Sequence, residues 1–455
     1  MIHRPFHRLI TILQSRSLKR DVIVITLLSV TGRSLGLLLP IFIAYWYGSS
    51  ASTDAFFLAY AFMLFISTII GNILEMVVVP YVTDLRARGE DISHFIGCIV
   101  FRGTVFIMGF SIAMVLILIP LMQAGTKLPV YADNLVFILT LEMMPMLFFL
   151  TWINVANGVL NAFKSFHVSA FSPFFRSVVV LAVAYMGRSW LGVHSIAIGF
   201  VFGEMIRWLI SGYYYRKVVG PMTWRWESIP EVRPFFRSAF FQAVGFGFIS
   251  FTVIIDQMMA SWDGAGSLSL YTYADRLYRI PFQGFVTGLA AVLLTHWSHD
   301  FKFEKRLKWQ RIRRMIWRFA SIMGVIFLIC LVSRRWLVDI VLNNGAFPSG
   351  QADRVADVFG ILAAGLPFQM ISLFCIRLLV IYEKNRYYMV LGFIRLALDV
   401  VLNYVLMKFF GIYGIAIATT LLNVLFAAAV YRKARIATMN LHSMRPVAPP
   451  GEGME

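Results

Sequence analysis

Two short stretches, GVHSIAIG at residues 192–199 and GIYGIAIA at residues 411–418, decide how this chain is organised. An arginine stands sixteen residues before each stretch, Arg176 before the first and Arg395 before the second, so the landmarks are all displaced by 219 residues. Several landmarks at one offset are the signature of an internal repeat. The sequence therefore predicts two structurally similar halves.

Apolar segments fill both halves. Of the 455 residues, 59% are hydrophobic and 14% are charged, which excludes an ordinary soluble domain. Twelve apolar runs are each long enough to cross about 30 Å of hydrocarbon as a helix. These predicted spans are residues 21–47, 54–83, 93–122, 132–160, 166–187, 191–215, 235–262, 268–298, 311–333, 354–381, 387–408 and 411–431. Because barrel strands are short and alternate in polarity, the runs favour an all-α polytopic membrane protein.

The repeat assigns six spans to each half, with both halves running in the same direction. Pro145 and Pro367 occupy matching places in spans four and ten. Parallel six-helix repeats are a transporter architecture with the substrate site between the lobes. The predicted domains are a basic interfacial segment (1–20), an N-terminal six-helix lobe (21–215), a linker (216–234), a C-terminal six-helix lobe (235–433) and a tail (434–455).

Basic residues predict the orientation. If the N-terminus is cytoplasmic, 27 lysines and arginines lie on the cytoplasmic side and 6 lie in the outer loops. This asymmetry predicts a multi-pass protein of the bacterial inner membrane with both termini in the cytoplasm. The net charge of +18 is then mostly a topology signal. The most basic loop, residues 302–318, is interpreted as an anchor on anionic lipid rather than a nucleic-acid site.

The sequence contains no enzyme motif that we recognise. It has no G-x-x-x-x-G-K-[ST] phosphate loop and no H-E-x-x-H metal motif. Its cysteines, Cys98, Cys330 and Cys375, stand in separate spans and form neither a disulfide framework nor a metal-ligand pattern. We expect a monomeric protein that is not an enzyme and that needs neither a cofactor nor a metal.

Arginine recurs inside the predicted spans. A guanidinium at the bilayer centre costs roughly 2.5–3.5 kcal/mol on insertion scales, so such residues usually face an aqueous cavity and pair with an acid or an anionic ligand. Arginine stays charged and binds phosphate oxygens in a bidentate manner. The arginines within spans are Arg33, Arg102, Arg176, Arg207, Arg276, Arg279, Arg377 and Arg395. Together they predict a path for a phosphate-bearing substrate.

Two of these positions favour substrate binding most clearly. Arg33 stands among small residues in TGRSLG, where it can face a cavity, and the alternative is an ion pair with Glu75. Arg276 and Arg279 share a helical face, which a neutral internal pair explains poorly. We expect Asp275 to orient Arg276.

The other charged residues within spans are interpreted as structural ion pairs or have no assigned role. Arg395 and Asp399 are four residues apart and predict an intrahelical ion pair. Glu204 and Arg207 predict a structural pair by the same spacing argument. The arginines without an evident acid nearby in sequence are Arg102, Arg176 and Arg377.

Three motifs of the chain point to a known family. They are TDAFFLAY (53–60) after Gly48, GVLNAF (158–163) with FSP (171–173), and YADRL (273–277) with Pro281 and Gly284. Their order and spacing resemble the MurJ/MviN family of lipid II flippases over roughly residues 25–435. They also resemble other polysaccharide-lipid flippases of the multidrug/oligosaccharidyl-lipid/polysaccharide (MOP) superfamily.

The resemblance implies an alternating-access flippase for an undecaprenyl-diphosphate-linked saccharide, with Arg33 and Arg276 in a central cationic cavity. Moving negative charge out of a negative-inside cell releases about 2.3 kcal/mol per charge per 100 mV, so the membrane potential is one candidate driving force. The predicted substrate contacts are Arg33, Arg276, Arg279, Arg102, Arg377, Asp54, Asp275 and Glu75.

The chain departs from the family pattern in three respects. The family's second arginine, six residues after the one matching Arg33, is replaced by Leu39. Residues 65–70 of span two contain no arginine, where the family carries one. Family members commonly have fourteen spans, the last two helping to form a groove for the lipid tail, against twelve predicted here. Lipid II and a polysaccharide repeat unit therefore both stay open as cargo.

The resemblance also implies a monovalent-cation site in this chain, because a sodium site is described for the family. Its aspartate on helix seven, polar residues on helix eleven and threonine on helix twelve match Asp256, Asp399 and Thr419. Arg395 stands where a neutral ligand is expected, and its charge would repel sodium or replace it.

Two other functions fit parts of the sequence. A drug or cation antiporter of the same superfamily would need exposed acids in its cavity. A non-transporting membrane scaffold would recruit glycan-synthesis enzymes through its inner loops. We prefer the flippase because arginines occupy so many of the spans. The expected partners are a lipid-linked saccharide diphosphate, membrane lipids and, for the scaffold, glycan-synthesis enzymes, with no nucleic acid.

Overall fold

The computed structural model describes residues 35–36, 38–89, 92–163, 165–221, 250–283, 309–342, 347, 350–382 and 385–443. Within these ranges all regular secondary structure is helical, which confirms the predicted fold class. The predicted basic segment 1–20 and most of the predicted linker lie outside the described residues. The lobe boundaries proposed from the sequence stay a prediction.

The helices divide into two sets. The first half, up to residue 221, contains α1 (Leu38–Tyr47), α2 (Ala51–Arg88), α3 (Ile92–Gly125), α4 (Val130–Met143), α5 (Pro145–Ala162), α6 (Phe166–Gly187) and α7 (His194–Val218). The second half, from residue 250, contains α8 (250–260), a 3-10 turn (Ser261–Asp263), α9 (267–283), α10 (Trp309–Leu342), α11 (Gln351–Ala363), α12 (Leu366–Ile381), α13 (Asn385–Phe410) and α14 (Ile412–Ser443).

Each of the twelve predicted spans contains one of these helices or a pair of them. In the described ranges, eight helices are long and apolar enough to cross a membrane, or nine if the bent pair α4–α5 is one span. Some helices run past their predicted ends, and α14 continues to Ser443 within the segment predicted as a tail. A helix satisfies its own backbone hydrogen bonds, so it can continue from hydrocarbon into the polar interface.

The repeat is present in the backbone. Span four is divided just before Pro145 with a bend of 41°, and span ten is divided just before Pro367. Proline has no N–H for the preceding turn, so both breaks have the same cause. Gly192 and Gly411 have φ angles of 54° and 55°, at the predicted offset. Glycine adopts this left-handed conformation without steric cost, which explains its presence in both copies.

The closest helix pairs also repeat. In the first half α6 packs along α7, and in the second half α13 packs along α14. Gly203 permits the first contact, because a Cβ atom there would lie 2.9 Å from both Cγ and the carbonyl oxygen of Arg176. Small residues that allow such close approach are typical of helix pairs in membranes.

The two halves meet where their helices end on the predicted outer side. Tyr273 donates a hydrogen bond to the carbonyl of Gly48 at 2.8 Å. The indole of Trp262 donates one to the carbonyl of Gly125 at 2.6 Å. Both donors belong to the second half and both acceptors to the first, so these bonds tie the halves together.

Candidate functional site

The predicted substrate contacts fall on separate parts of the structure. Arg33 lies outside the described residues, and so does the side chain of Glu75 on α2. Arg102 is half-buried on α3 and interacts with other residues. The remaining candidates lie on α2, α9 and α12.

The polar cluster of α9 contains an arginine that is paired within the helix. Arg279 Nε donates to the two carboxylate oxygens of Asp275 at 2.8 and 2.7 Å. The Arg279 guanidinium also lies over the ring of Tyr278, 5.6 Å from its centroid. The expected pairing of Asp275 with Arg276 is wrong. Adjacent side chains on a helix point about 100° apart, whereas residues four apart share a face.

Two half-buried arginines on α9 and α12, Arg276 and Arg377, have no ion pair or hydrogen bond with any described residue. Arg276 is half-buried and lies about 14 Å along α9 from its first residue, within the predicted span of residues 268–298. Arg377 is half-buried near the end of α12. A 2.7 Å hydrogen bond from Gln369 to the hydroxyl of Tyr278 holds α12 against α9. Both cations therefore belong to neighbouring helices of one half.

Asp54 connects the two halves. Its carboxylate is buried and accepts the backbone N–H of Gly266 at 2.6 Å and that of Ser269 at 2.7 Å. It also accepts the hydroxyl of Ser269. These amides lie at the start of α9, where unpaired N–H groups form the positive end of the helix dipole. Asp54 thus caps a helix of the opposite half, and both of its oxygens are occupied by the protein.

Further contacts surround this cap. The hydroxyls of Thr53 and Ser269 are 3.1 Å apart. The rings of Phe57 and Tyr273 meet edge to face with centroids 5.2 Å apart. We call the contacts between residues 48–57 and residues 266–273 the outer latch, after the side on which they are predicted to lie.

Arg176, which the sequence left unassigned, is paired within the first half. Arg176 Nη1 donates to Glu204 Oε1 at 3.2 Å, and Arg207 Nη1 donates to Glu204 Oε2 at 2.8 Å. The side chain of Glu204 is only 2% exposed, so a buried carboxylate is shared by two guanidinium groups. The predicted pair of Glu204 with Arg207 is present, and Arg176 joins it.

The second half repeats this contact with neutral partners. Arg395 Nη2 donates to Asn423 Oδ1 at 3.0 Å, and its guanidinium lies over the ring of Phe426 at 5.0 Å. Asn423 stands 219 residues after the glutamate that holds the first arginine. The predicted ion pair of Arg395 with Asp399 is not formed. The repeated packing of α13 on α14 directs this arginine to the next helix, as it does in the first half.

Two buried acids of the second half lie together. Asp256 on α8 accepts hydrogen bonds from Asn403 Nδ2 at 2.7 Å and from the hydroxyl of Tyr271 at 3.3 Å. Asp399 is near enough to Asp256 for the two carboxyl groups to interact electrostatically, and Thr419 Oγ1 is 3.5 Å from the Tyr271 hydroxyl. The three residues predicted for a cation site are therefore brought into one cluster.

Asn403 belongs to this cluster, although it was not predicted as a ligand from the sequence. The signal was present, because Asp399 and Asn403 are polar residues four apart on α13, the helix of predicted span eleven. Asn403, and not Arg395, supplies the neutral group beside the acids. Asp399 Oδ2 and Asn403 Oδ1 are buried and have no hydrogen-bond partner in the described part of the chain. A buried oxygen without a protein hydrogen-bond partner usually binds an ordered water or an ion.

Among the described residues, no group of three or more His, Cys, Asp or Glu side chains is arranged to hold a metal ion. The three cysteines are buried and form no disulfide. The chemistry available at the described sites is therefore that of guanidinium groups, paired carboxylates and neutral oxygens.

Comparisons with known proteins identify the family. The profile of lipid II flippase MurJ matches residues 43–444. A protein of Vibrio cholerae serotype O1, "Probable lipid II flippase MurJ", is 24% identical over 456 residues, covering 92% of this chain and 83% of that protein.

Two solved structures have the same fold. One is "Lipid II flippase MurJ, inward closed conformation", with a TM-score of 0.76, 19% identity and coverage of 92% of this chain and 91% of that chain. The other is an inward-facing multidrug resistance MATE family transporter of the MOP superfamily, with a TM-score of 0.76, 12% identity and coverage of 93% and 99%. Because the family profile covers most of its length, the chain belongs to the lipid II flippase MurJ family.

Proposed function

We propose that this protein moves an undecaprenyl-diphosphate-linked saccharide from the inner to the outer leaflet of a bacterial inner membrane by alternating access of its two halves. Both termini lie in the cytoplasm in this proposal. The saccharide belongs to lipid II, the cargo of the family, or to a polysaccharide repeat unit.

Arg276 carries this proposal. A guanidinium within a predicted span with no protein partner in the described ranges needs an anion or water. A lipid diphosphate offers several charged oxygens, and the planar guanidinium fork binds two of them at once. Arg377, closer to the predicted inner end, provides a second cation for a diphosphate that enters from that side.

The outer latch supports alternating access. It joins the halves through side chain to backbone bonds such as those of Asp54, together with the ring contact of Phe57 with Tyr273. The polar bonds can be exchanged for bonds to water when the halves separate. If the latch opened while the inner ends of the two halves approached each other, the cargo site would become accessible from the outer leaflet and closed to the inner leaflet.

A flipping assay tests the role of Arg276. The purified protein in liposomes is given a fluorescent undecaprenyl-diphosphate saccharide, and the outer-leaflet fraction is followed with a membrane-impermeant quencher. We expect Arg276→Gln to weaken cargo binding by about 10- to 150-fold, since a charge-assisted hydrogen bond is worth about 1.5–3 kcal/mol. Binding by Arg276→Lys should lie between that of the parent protein and that of Arg276→Gln, because lysine keeps the charge but lacks the planar guanidinium that binds two oxygens at once.

Arg188 provides the matched control. It is an arginine of an outer loop that lies over the ring of Tyr185 at 4.4 Å, away from the α9 cluster. Arg188→Gln removes the same charge and should leave binding unchanged. Full-rate flipping by Arg276→Gln would refute the assignment. Repeating the assay with lipids that carry different saccharides on the same diphosphate identifies the cargo.

The two rival functions predict different outcomes. A drug or cation antiporter would exchange cations in the same liposomes and would ignore the lipid diphosphate. A scaffold would tolerate neutralisation of Arg276 and Arg377 in cells while losing function when its inner loops are changed. A flippase would act on the lipid diphosphate, and it would lose function in cells when Arg276 and Arg377 are neutralised.

The cluster of Asp256, Asp399 and Asn403 is proposed to hold a monovalent cation. Two neighbouring buried carboxyl groups repel each other when both are ionised. Either one of them keeps its proton or a bound cation compensates the two charges. The cluster adds the oxygens of Asn403 and Thr419, which suit a hard cation. Binding a cation here would stabilise the packing of α8 against α13 and α14.

Thermal unfolding in sodium, potassium and choline salts at one ionic strength tests this site without reference to transport. Sodium at 100 times its Kd should stabilise the folded protein by about 2.7 kcal/mol. Asp256→Asn should abolish the difference between salts. Equal unfolding temperatures in all three salts would rule out a selective monovalent site.

A further inference from the structure

The exposed face of α10 is apolar along most of its length. The helix has 34 residues and therefore extends about 51 Å. Ile322, Val325, Ile329 and Val332 are exposed by 42%, 57%, 59% and 87%. A contiguous apolar surface of this kind needs a cover, and a bilayer provides it for a spanning helix. α10 therefore faces lipid.

Two exposed tryptophans mark the limits of this apolar stretch. Trp317 and Trp336 are separated by nineteen residues, or about 29 Å along the helix. This distance matches the hydrocarbon thickness of about 30 Å. Tryptophan at both interfaces is typical of spanning helices. The segment before Trp317 therefore lies at the headgroup level of the predicted inner leaflet.

Arginines gather in that segment. Arg311, Arg313, Arg314 and Arg318 are all exposed, and none has an ion pair or hydrogen bond with a described residue. Residues 309–322 contain no acid. An open hollow of about 910 Å³ adjoins this face. Its lining in the described part of the chain is Gln310, Arg313, Arg314, Trp317, Arg318, Ser321 and Ile322.

The spacing of these lining residues is that of one helical stripe, since they recur three or four positions apart. The stripe begins with arginines, passes Trp317 and continues into the lipid-facing apolar residues without interruption. A lipid molecule whose acyl chain covers Ile322 therefore has its phosphate beside Arg314 and Arg318.

The opposite end of α10 is built differently. Arg334 pairs with Asp357 at 3.2 Å, and Arg335 pairs with Asp353 at 3.6 Å. The arginines at that end are thus neutralised by α11. If the arginines of α10 served only as interfacial anchors, there would be no reason for them to be paired with acids at one end and unpaired at the other.

We propose that the stripe from Arg313 to Ile322 is a binding site for an anionic phospholipid of the inner leaflet. The phosphate accepts hydrogen bonds from Arg313, Arg314 and Arg318. The indole of Trp317 lies at the glycerol level, and the acyl chain follows the apolar face. A zwitterionic lipid carries a compensating ammonium or choline, so the unpaired arginines select a net negative headgroup.

Native mass spectrometry of the full-length protein in detergent tests the site. Phosphatidylglycerol and phosphatidylcholine with the same acyl chains are titrated separately. Each arginine near an anionic surface contributes about 1 kcal/mol, so Arg313 and Arg314 together predict about 30-fold tighter binding of phosphatidylglycerol. Arg313→Gln/Arg314→Gln should remove this contribution of about 30-fold and leave only the smaller preference that Arg318 provides. Inorganic phosphate should not displace the lipid, because it has no acyl chain.

Arg334→Gln/Arg335→Gln is the matched control. It removes the same two charges from the same helix at the paired end and should preserve the preference for phosphatidylglycerol. The proposal is overturned if the unmodified protein binds both lipids equally, a result that needs no variant. It is also overturned if both double variants lose the preference alike. Neither outcome bears on lipid-linked saccharide flipping, which is measured separately.

Discussion

Replacing Asp54 with asparagine should shift the protein toward a state in which its halves separate on the predicted outer side. Asp54 accepts two backbone N–H bonds, at 2.6 and 2.7 Å, and a hydroxyl bond from the opposite half. Asparagine keeps one acceptor but loses the charge that faces the start of α9. It also presents an NH2 group to a backbone donor.

The size of the shift follows from these contacts. A hydrogen bond to a charged group contributes about 1.5–3 kcal/mol, and a carboxylate at a helix N-terminus a further 0.3–2 kcal/mol. Asparagine recovers part of the first contribution, so we expect a net loss of about 2–4 kcal/mol from the latched state. The ratio of open to latched molecules should therefore rise roughly 30- to 900-fold.

Distances between spin labels across the outer side measure this ratio. Trp190 and Phe409 are each 76% exposed, stand 219 residues apart and lie on opposite halves. Cysteines placed there take the labels, while the native cysteines are buried. We expect Asp54→Asn to increase the population at longer distance.

Asp133 supplies the control for this measurement. It accepts a 3.1 Å hydrogen bond from Thr126 within the first half. Asp133→Asn therefore removes an acid on the same side without touching the latch and should leave the distances unchanged. If Asp54→Asn gives the same distance distribution as the parent protein, the outer latch does not hold the halves together.

Four further substitutions test the packing of α6 on α7 and of the equivalent pair, α13 on α14. Gly203→Ala should lower the unfolding free energy by about 1–3 kcal/mol, because the added Cβ would lie 2.9 Å from Arg176 atoms. Gly212→Ala on the same helix meets no atom within 4 Å and should raise stability by up to about 1 kcal/mol in the same thermal unfolding assay, because alanine favours a helix more than glycine does. Glu204→Ala should cost about 3–5 kcal/mol, since it leaves buried guanidinium charge unpaired, whereas Asn423→Ala at the equivalent place removes one hydrogen bond from the Arg395 guanidinium and should cost about 1.5–3 kcal/mol. Equal losses for these last two variants, measured by chemical denaturation, would contradict the assigned partners.

Patterns along the chain were sufficient for the architecture. The apolar runs predicted the spans, and the landmarks that include Gly192 and Gly411 predicted two similar halves, in which the backbone has equivalent turns at these glycines. Pro145 and Pro367 were predicted to occupy matching places in spans four and ten, and both spans are divided there. Each of these features depends on local properties, such as hydropathy, a missing N–H or tolerance of positive φ.

Pairing partners were predicted less well. Asp275 was expected beside Arg276 and binds Arg279, and Arg395 was expected beside Asp399 and binds Asn423. In the first case the helical period separates neighbours in sequence. In the second case the contact crosses to another helix, 28 residues away, and depends on how the two helices pack.

What the sequence determined by itself was the membrane fold, the two similar halves and the presence of arginine at membrane depth, because hydropathy, periodicity and residue type are written locally. Only the tertiary structure decided which charges are neutralised. It buried Glu204 between two arginines, used Asp54 to cap a helix 212 residues away, and gave Arg276 no partner among the described residues. The physical reason is that ion pairs and caps act over a few ångströms, so they are set by helix packing and not by distance along the chain.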